Sequence, residues 1–473
     1  MDRQKPFSPS PHRVTLHDFT LWEPILRLLL ASSTDRRPDR STRVAGRIGL
    51  QSWSLALRRP SPPPGRASQI EDMREEFDAV GRVQGALAAA GIDDIAFAAE
   101  ISPTGRTALH LLGPSPAVEP GIGNPHPGAL ILVEGALPEP WRRLPEPVPG
   151  VVPAASADPL LLERTLRERL PDAIGATEAE IAAAEARLGV TLPAELTALY
   201  RVTRARWADW GDDHEKANRV FAAVGCELLP LDELYLADAQ SRYCRWEFAA
   251  MEAAVGARPG AAVQGLVGSP GWIAFGDNGG GDRLAIDLTP GPGGHVGQII
   301  ILNHEDNIGA ALLADSLTDL VLDRSGAEGD GPHDGTPSPV AHVNIRSLTS
   351  IEAAAHPGLE VLSIGVWDDE PLSLAPVAGL PRLRTLSAYP GTLADPLEIV
   401  QLTGLEYLAL GPQDWRALLD AGAVPRSLSA AAIEVRGPED PLFVVAVANE
   451  LLALWDRPRI EQTVIEGELG PVG

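Results

Sequence analysis

The stretch 272-WIAFGDNGGGDRLAIDL-288 decides how this chain folds, and three readings compete for its middle, Gly276-Asp277-Asn278-Gly279-Gly280-Gly281-Asp282. A phosphate or dinucleotide loop needs its glycines between a strand and a helix, so that N–H groups at the helix start meet the anion. Here the residues after Gly281 and Asp282 run Arg-Leu-Ala-Ile-Asp-Leu, alternating as a strand does, and no Lys-Ser or Lys-Thr pair follows. A calcium loop places oxygen ligands at alternate positions, a spacing that Asp277, Asn278, Asp282 and Asp287 do not keep. Strand, turn, strand remains. Asn278-Gly279 accepts positive φ in a hairpin turn, and the extra glycines allow a longer or bulged one. Asp282 and Asp287 are left either to cap backbone groups or to face a partner.

Upstream, 177-TEAEIAAAEARLGVTLPAELTALYRV-202 reads as two short helices. Thr177 and Glu180 form a capping box, Ile181, Ala184 and Leu188 line one face, and Gly189 ends the first helix. Pro193 opens the second, whose buried stripe is Leu196, Leu199 and Tyr200. A long stretch, 204–270, follows with Trp207, Trp210 and Trp246 among Arg and Asp. Strands are expected at 272–276, 283–288 and 296–302, a helix near 309–322 and an acidic linker at 324–339.

Beyond the linker the sequence repeats. The units 359-LEVLSI-364, 383-LRTLSA-388, 405-LEYLAL-410 and the weaker 428-LSAAAI-433 start 24, 22 and 23 residues apart. This spacing resembles a degenerate leucine-rich repeat lacking the Asn or Cys of the longer motif. Positions one, four and six should point inward. Val361, Ser363, Thr385, Ser387, Tyr407 and Ala409 should point outward on a concave face. Helix 440–455 and the terminal strand are expected to cap the array. On the N-terminal side, 136–159 reads as a Pro-rich linker and 73–140 as a small α/β unit. Its helix carries Phe77, Val80, Val83 and Leu87 at helical spacing. Residues 1–72, rich in Arg, Ser and Pro, are expected to be disordered, with Met73 as an alternative start to Met1.

Bulk composition narrows the function. The 473 residues carry a formal net charge of −25, 44% hydrophobic and 22% charged residues, and two cysteines, Cys226 and Cys244. Residues 1–72 hold 12 basic against 7 acidic side chains, so the rest, with 27 against 57, is strongly acidic. Such a surface repels nucleic acid and anionic membranes and attracts a basic protein partner. Two thiols do not make a disulfide framework, which points to the cytoplasm. No apolar run reaches the ~18 residues of a membrane helix. No nucleophile elbow or zinc-protease helix occurs, and no metal or cofactor is expected. His295 and His304, with Glu305 and Asp306, flank a strand as exposed polar groups. The cysteines read as buried apolar groups.

The segments 180–203, 227-ELLPLDEL-234, 272–288, 297-GQIIILNHED-306 and 315-DSLTDLV-321 together resemble the SUKH superfamily, the group of the yeast cell-wall synthesis regulator and bacterial immunity proteins. Leu188-Gly189, Leu192-Pro193, Tyr200, Gly276-Asp277, Gly280, Asp282 and Asp287 stand in family order across about 160–323. One departure is Arg204-Ala205, where many members have Asn-Gly. The resemblance implies an α+β fold whose central antiparallel sheet is packed by helices. Around it would lie the small α/β unit at 73–140 and a repeat solenoid at 341–473. It also implies a role without catalytic residues, the neutralising of a toxin domain by binding it. The alternative role is a scaffold or regulator in a cell-wall or signalling pathway. The expected contact residues are Trp207, Trp210, Asp212, Asp213, Trp246, Glu305 and Asp306, with Trp367, Asp368, Tyr389, Tyr407 and Trp415 on the repeats.

Overall fold

The computed structural model describes residues 15–33, 40–58, 73–119, 130–211, 213–252, 260–306, 308–324, 337–436 and 439–470. Three sheets organise them. The central one is antiparallel and runs Ala311–Ala314, Gln298–Leu302, Arg283–Asp287, Trp272–Asp277, Glu227–Leu228, with Tyr235–Leu236 also pairing to Trp272–Asp277. The helices Pro159–Arg169, Glu178–Leu188, Ala194–Val202 and His214–Val224 cover one of its faces. The capping box closes as expected: Thr177 N–H donates to Glu180 Oε2 at 2.8 Å and Glu180 N–H to Thr177 Oγ1 at 3.2 Å. Ile273, Phe275, Ile286 and Ile299 meet Leu196, Leu199 and Tyr200 in a core where each is 0–1% exposed. Burial of Phe275 alone is worth roughly 2 kcal/mol.

The glycine loop is a turn. Trp272–Asp277 and Arg283–Asp287 pair antiparallel with a register shift at Leu284/Ala285. Gly279 and Gly281 take φ of 85° and 104°, conformations that a side chain would strain. Asp277 Oδ1 accepts the Gly279 N–H at 2.7 Å, and Asn278 Oδ1 accepts that of Gly280 at 2.7 Å. Asp287, wholly buried, accepts Trp272 Nε1–H at 3.0 Å, Thr289 N–H at 2.8 Å and Gln298 Nε2–H at 2.9 Å. Both aspartates therefore hold the fold locally.

The segment before Met73 is structured where it is described, against the expectation of disorder across 1–72. The helix Phe19–Ser32 buries Leu21, Trp22, Ile25, Leu26, Leu29 and Leu30, and Pro24 inside it had masked that stripe. Strand Thr42–Gly49 alternates, with Val44 and Ile48 inward and Arg43 and Arg47 outward. Its arginines are one face of a strand and not low-complexity sequence. This strand pairs with Trp53–Leu55 and Asp94–Ile101 in an antiparallel sheet ordered Gln462–Glu468, Arg106–Leu112, Asp94–Ile101, Thr42–Gly49, Trp53–Leu55. Trp22 lies 5.1 Å from Phe97 between sheet and helices. Residues 1–14, 34–39 and 59–72, with the Pro-rich 60-PSPPPGR-66, lie outside the described residues.

The third sheet is a ladder. Val340–Val343, Val361–Ile364, Thr385–Ala388, Tyr407–Leu410 and Ala430–Ile433 pair in parallel, and Leu130–Leu132 and Val118–Glu119 extend it antiparallel. Leu362, Leu386, Leu408 and Ala431 stand in register, and positions one, four and six of every unit are buried. Helix Pro441–Leu454 closes this core beside Pro412–Asp420. Three expectations differ. The helix expected near 309–322 is the strand Ala311–Ala314 followed by the short helix Leu317–Val321. Residues 73–140 are split between two sheets, and the terminal strand joins the N-terminal sheet instead of capping the ladder. These pairings span hundreds of residues, which local pattern does not encode.

Candidate partner-binding surface

After the helix Ala194–Val202 the chain turns sharply. Ala205 takes a left-handed φ of 55° in the place where a glycine would be easier. Neighbouring contacts hold it there. Arg204 N–H donates to Ile174 O at 2.9 Å, and the Arg204 guanidinium forks onto Asp209 at 2.7 and 2.8 Å. That guanidinium keeps the Asp209 carboxyl below its ordinary range. The turn aims the short helix Trp207–Trp210 outward. Trp207 is 44% exposed and meets Trp210 edge-on at 5.6 Å and His214 at 4.9 Å, while Trp210 packs onto the core.

Trp207 and Trp210 wall a groove of about 550 Å³ whose other side is Leu229, Pro230, Gly279 and Arg283. Glu227, Asp232, Glu233 and Asp277 also line it, four carboxylates against the guanidiniums of Arg206 and Arg283. Glu227, Asp232 and Glu233 are exposed; Arg283, also exposed, is tied to Asp277, and Arg206 pairs with Glu180 at 3.1 Å and lies 3.9 Å from Asp232. An exposed indole beside an acidic rim offers apolar area and cation–π attraction to an incoming basic side chain. Beyond the turn, Asp282 Oδ1 accepts from His304 N–H at 3.0 Å and lies 2.7 Å from His304 Nδ1. This contact lowers the aspartate's pKa and raises the histidine's.

The twelve expected contact residues divide. Trp207, Glu305, Asp306 and Asp368 are exposed; Trp210, Trp367 and Tyr389 are half-buried, and Arg436 sits 5.9 Å over the Tyr389 ring. Asp213 is also half-buried and caps the helix His214–Val224 by accepting the Glu215 N–H at 3.0 Å. Asp212 lies outside the described residues. Three expectations fail. Trp415 is fully buried and donates to Ala432 O at 2.8 Å, because its helix packs that face onto the ladder. Trp246 and Tyr407 are 5% and 3% exposed and stack on each other at 6.4 Å. Val361, Thr385 and Ala409 are likewise buried, so the ladder's outward face is largely covered; Ser363 and Ser387 remain half-buried. Over Thr385, Tyr407 and Ala409 the cover is the segment around Trp246, from the stretch between the central helices and the glycine hairpin.

Arg206, Glu227, Asp232 and Glu233 line the groove and were not among the expected contacts. The last three stand in 227-ELLPLDEL-234, whose alternation of apolar and acidic residues was the available signal. Of the two thiols expected to be buried, Cys226 is and Cys244 is half-buried; burial pushes Cys226 up to about 12 and Cys244 to about 11. No helix among the described residues is long and apolar enough to cross a membrane.

Comparison with known proteins places the central unit. A stretch is 47% identical over 47 residues to the glucan synthesis regulatory protein of Neurospora crassa, spanning 10% of this chain and 9% of that one. Residues 175–323, which contain the helical hairpin, the glycine turn and the Trp207 groove, match the SMI1 / KNR4 family (SUKH-1).

Proposed function

We propose that this chain is a non-enzymatic binding module, an immunity protein that neutralises a toxin by occupying it. The groove beside Trp207 carries the reading. It joins an exposed indole to three exposed carboxylates in a chain of net charge −25. A basic toxin domain is the complementary partner: long-range attraction speeds encounter, and the aromatic supplies short-range affinity. The matched family includes toxin-immunity proteins and cell-wall synthesis regulators and is generally non-catalytic. We read the parallel ladder as a degenerate leucine-rich-repeat solenoid and the protein as cytoplasmic.

A second reading, a scaffold or regulator of a cell-wall or signalling pathway, draws on the stretch shared with the Neurospora protein. Affinity capture from the native host, with mass spectrometry, separates the two. Recovery of a basic toxin domain supports the first, and recovery of wall-synthesis or signalling components supports the second. Capture of no protein at all contradicts both.

A further inference from the structure

A second cavity, of about 140 Å³, meets the helix Trp207–Trp210 from another side. It shares Trp210 and Ala205 with the groove and no other residue. The turn after the helix Pro159–Arg169 supplies Leu170, Ala173 and Ile174, and the helix His214–Val224 supplies Val220. Thr203, at the end of Ala194–Val202, completes the wall. Leu170, Thr203, Ala205 and Val220 are 2–8% exposed, whereas Ile174 is 50% exposed, so a buried and largely apolar floor opens to solvent. The wall is held by backbone contacts. Ala173 N–H donates to Leu170 O at 3.2 Å and Arg204 N–H to Ile174 O at 2.9 Å. The cavity is therefore formed before any ligand arrives.

Size selects the body of the guest. An apolar cavity of about 150 Å³ accepts one benzene ring, so this one holds a single six-membered ring, with the Trp210 indole for it to lie against. Charge selects the substituent. Lys216, Arg219 and Val220 stand at helical spacing on one face, with both cations exposed and neither in an ion pair among the described residues. Arg169 adds a third cation, its guanidinium donating to Ala223 O at 2.9 Å and Val321 O at 2.8 Å. Of the two carboxylates in the lining, Asp209 is already matched by the Arg204 fork, which leaves Asp172 against three cations. The net charge of −25 opposes an anion. Salt screens charges beyond about 8 Å at physiological ionic strength, so the cations at the cavity set the local field.

We propose that this cavity binds a small aromatic carboxylate, its ring on the apolar floor against Trp210 and its carboxylate between Lys216 and Arg219. The site does not depend on the partner proposed for the groove, and its test needs no such partner. The probe is benzoate, titrated into the full chain. Wild type should bind it saturably with a dissociation constant of roughly 1 mM or tighter, within reach of so small a ligand. The indole N–H resonance of Trp210 should shift along the same binding curve. Benzamide keeps the ring and loses the charge; acetate keeps the charge and loses the ring. Each should bind wild type at least tenfold more weakly than benzoate. Lys216→Glu/Arg219→Glu, on an exposed helix face, should also weaken benzoate at least tenfold. No saturable benzoate binding, acetate or benzamide as tight as benzoate, a Trp210 resonance that does not move, or unchanged affinity in the double variant would each overturn the proposal. The comparison of the three probes on wild type decides the matter even if the double variant does not fold. None of these results bears on the Trp207 groove.

Discussion

Trp207 and Trp246 come from the same Arg- and Asp-rich stretch, and nothing in their neighbourhoods separates them. One stands exposed on an acidic groove; the other is sealed against the ladder by Tyr407. The difference arises from a contact with a strand far along the chain, so the fate of a loop aromatic is decided by tertiary pairing. An aromatic in a polar loop marks either an outward anchor or an inward one, and only its cover tells which.

Stability measurements sharpen this contrast. Trp415→Ala should cost about 3–5 kcal/mol in chemical denaturation, since a wholly buried ring leaves a cavity and an unpaired Ala432 carbonyl. Trp246→Ala should cost slightly less, about 3 kcal/mol, because its ring keeps only 5% of its surface exposed. A loss as small as that of an exposed indole would erase the distinction between a sealed ring and an outward one. Thr177→Ala should cost about 1 kcal/mol by removing the capping box. Trp207→Ala should change stability by no more than about 0.5 kcal/mol, as surface substitutions do.

The smallest effect concerns pH. His304 is raised above 6.5 by Asp282, so its contribution is fully present below 6.5 and fades as pH rises through the elevated value. Asp282 is lowered from 3.8 by the same contact, and its contribution is lost as pH falls through that depressed value. The hairpin end should be steadiest between about 4 and 6.5. Nuclear magnetic resonance titration of His304 should give a midpoint above that of an unpaired imidazole, and Asp282→Asn should return it to the ordinary value.

The central unit was legible because its signals are local. The capping box, Gly189, and the strand that follows the glycine turn each report on neighbours a few residues away. The inward leucines of the ladder were legible for the same reason: a two-residue alternation repeats at nearly fixed spacing. The N-terminal sheet was missed because Pro24 disguised a helix and because Arg43 and Arg47 look like basic low complexity until their alternation with Val44 and Ile48 is noticed. The covered ladder face was not legible at all. Thr385 and Tyr407 alternate outward, as expected, but the segment lying on them is more than a hundred residues upstream. In the groove, Trp207 was identified and its acidic companions were not. Asp232 and Glu233 approach it only through the turn at Ala205 and the pairing of Glu227–Leu228 to the hairpin strand.

Binding at the Trp207 groove is the decisive property. Calorimetry of the captured partner with wild type, Trp207→Ala and Asp232→Asn/Glu233→Gln, at low and high salt, tests it most directly. Trp207→Ala should weaken binding at least tenfold, about 1.4 kcal/mol. The carboxylate variant should lose most of the salt dependence. Unchanged affinity in Trp207→Ala together with salt-independent binding would contradict the assignment of this surface.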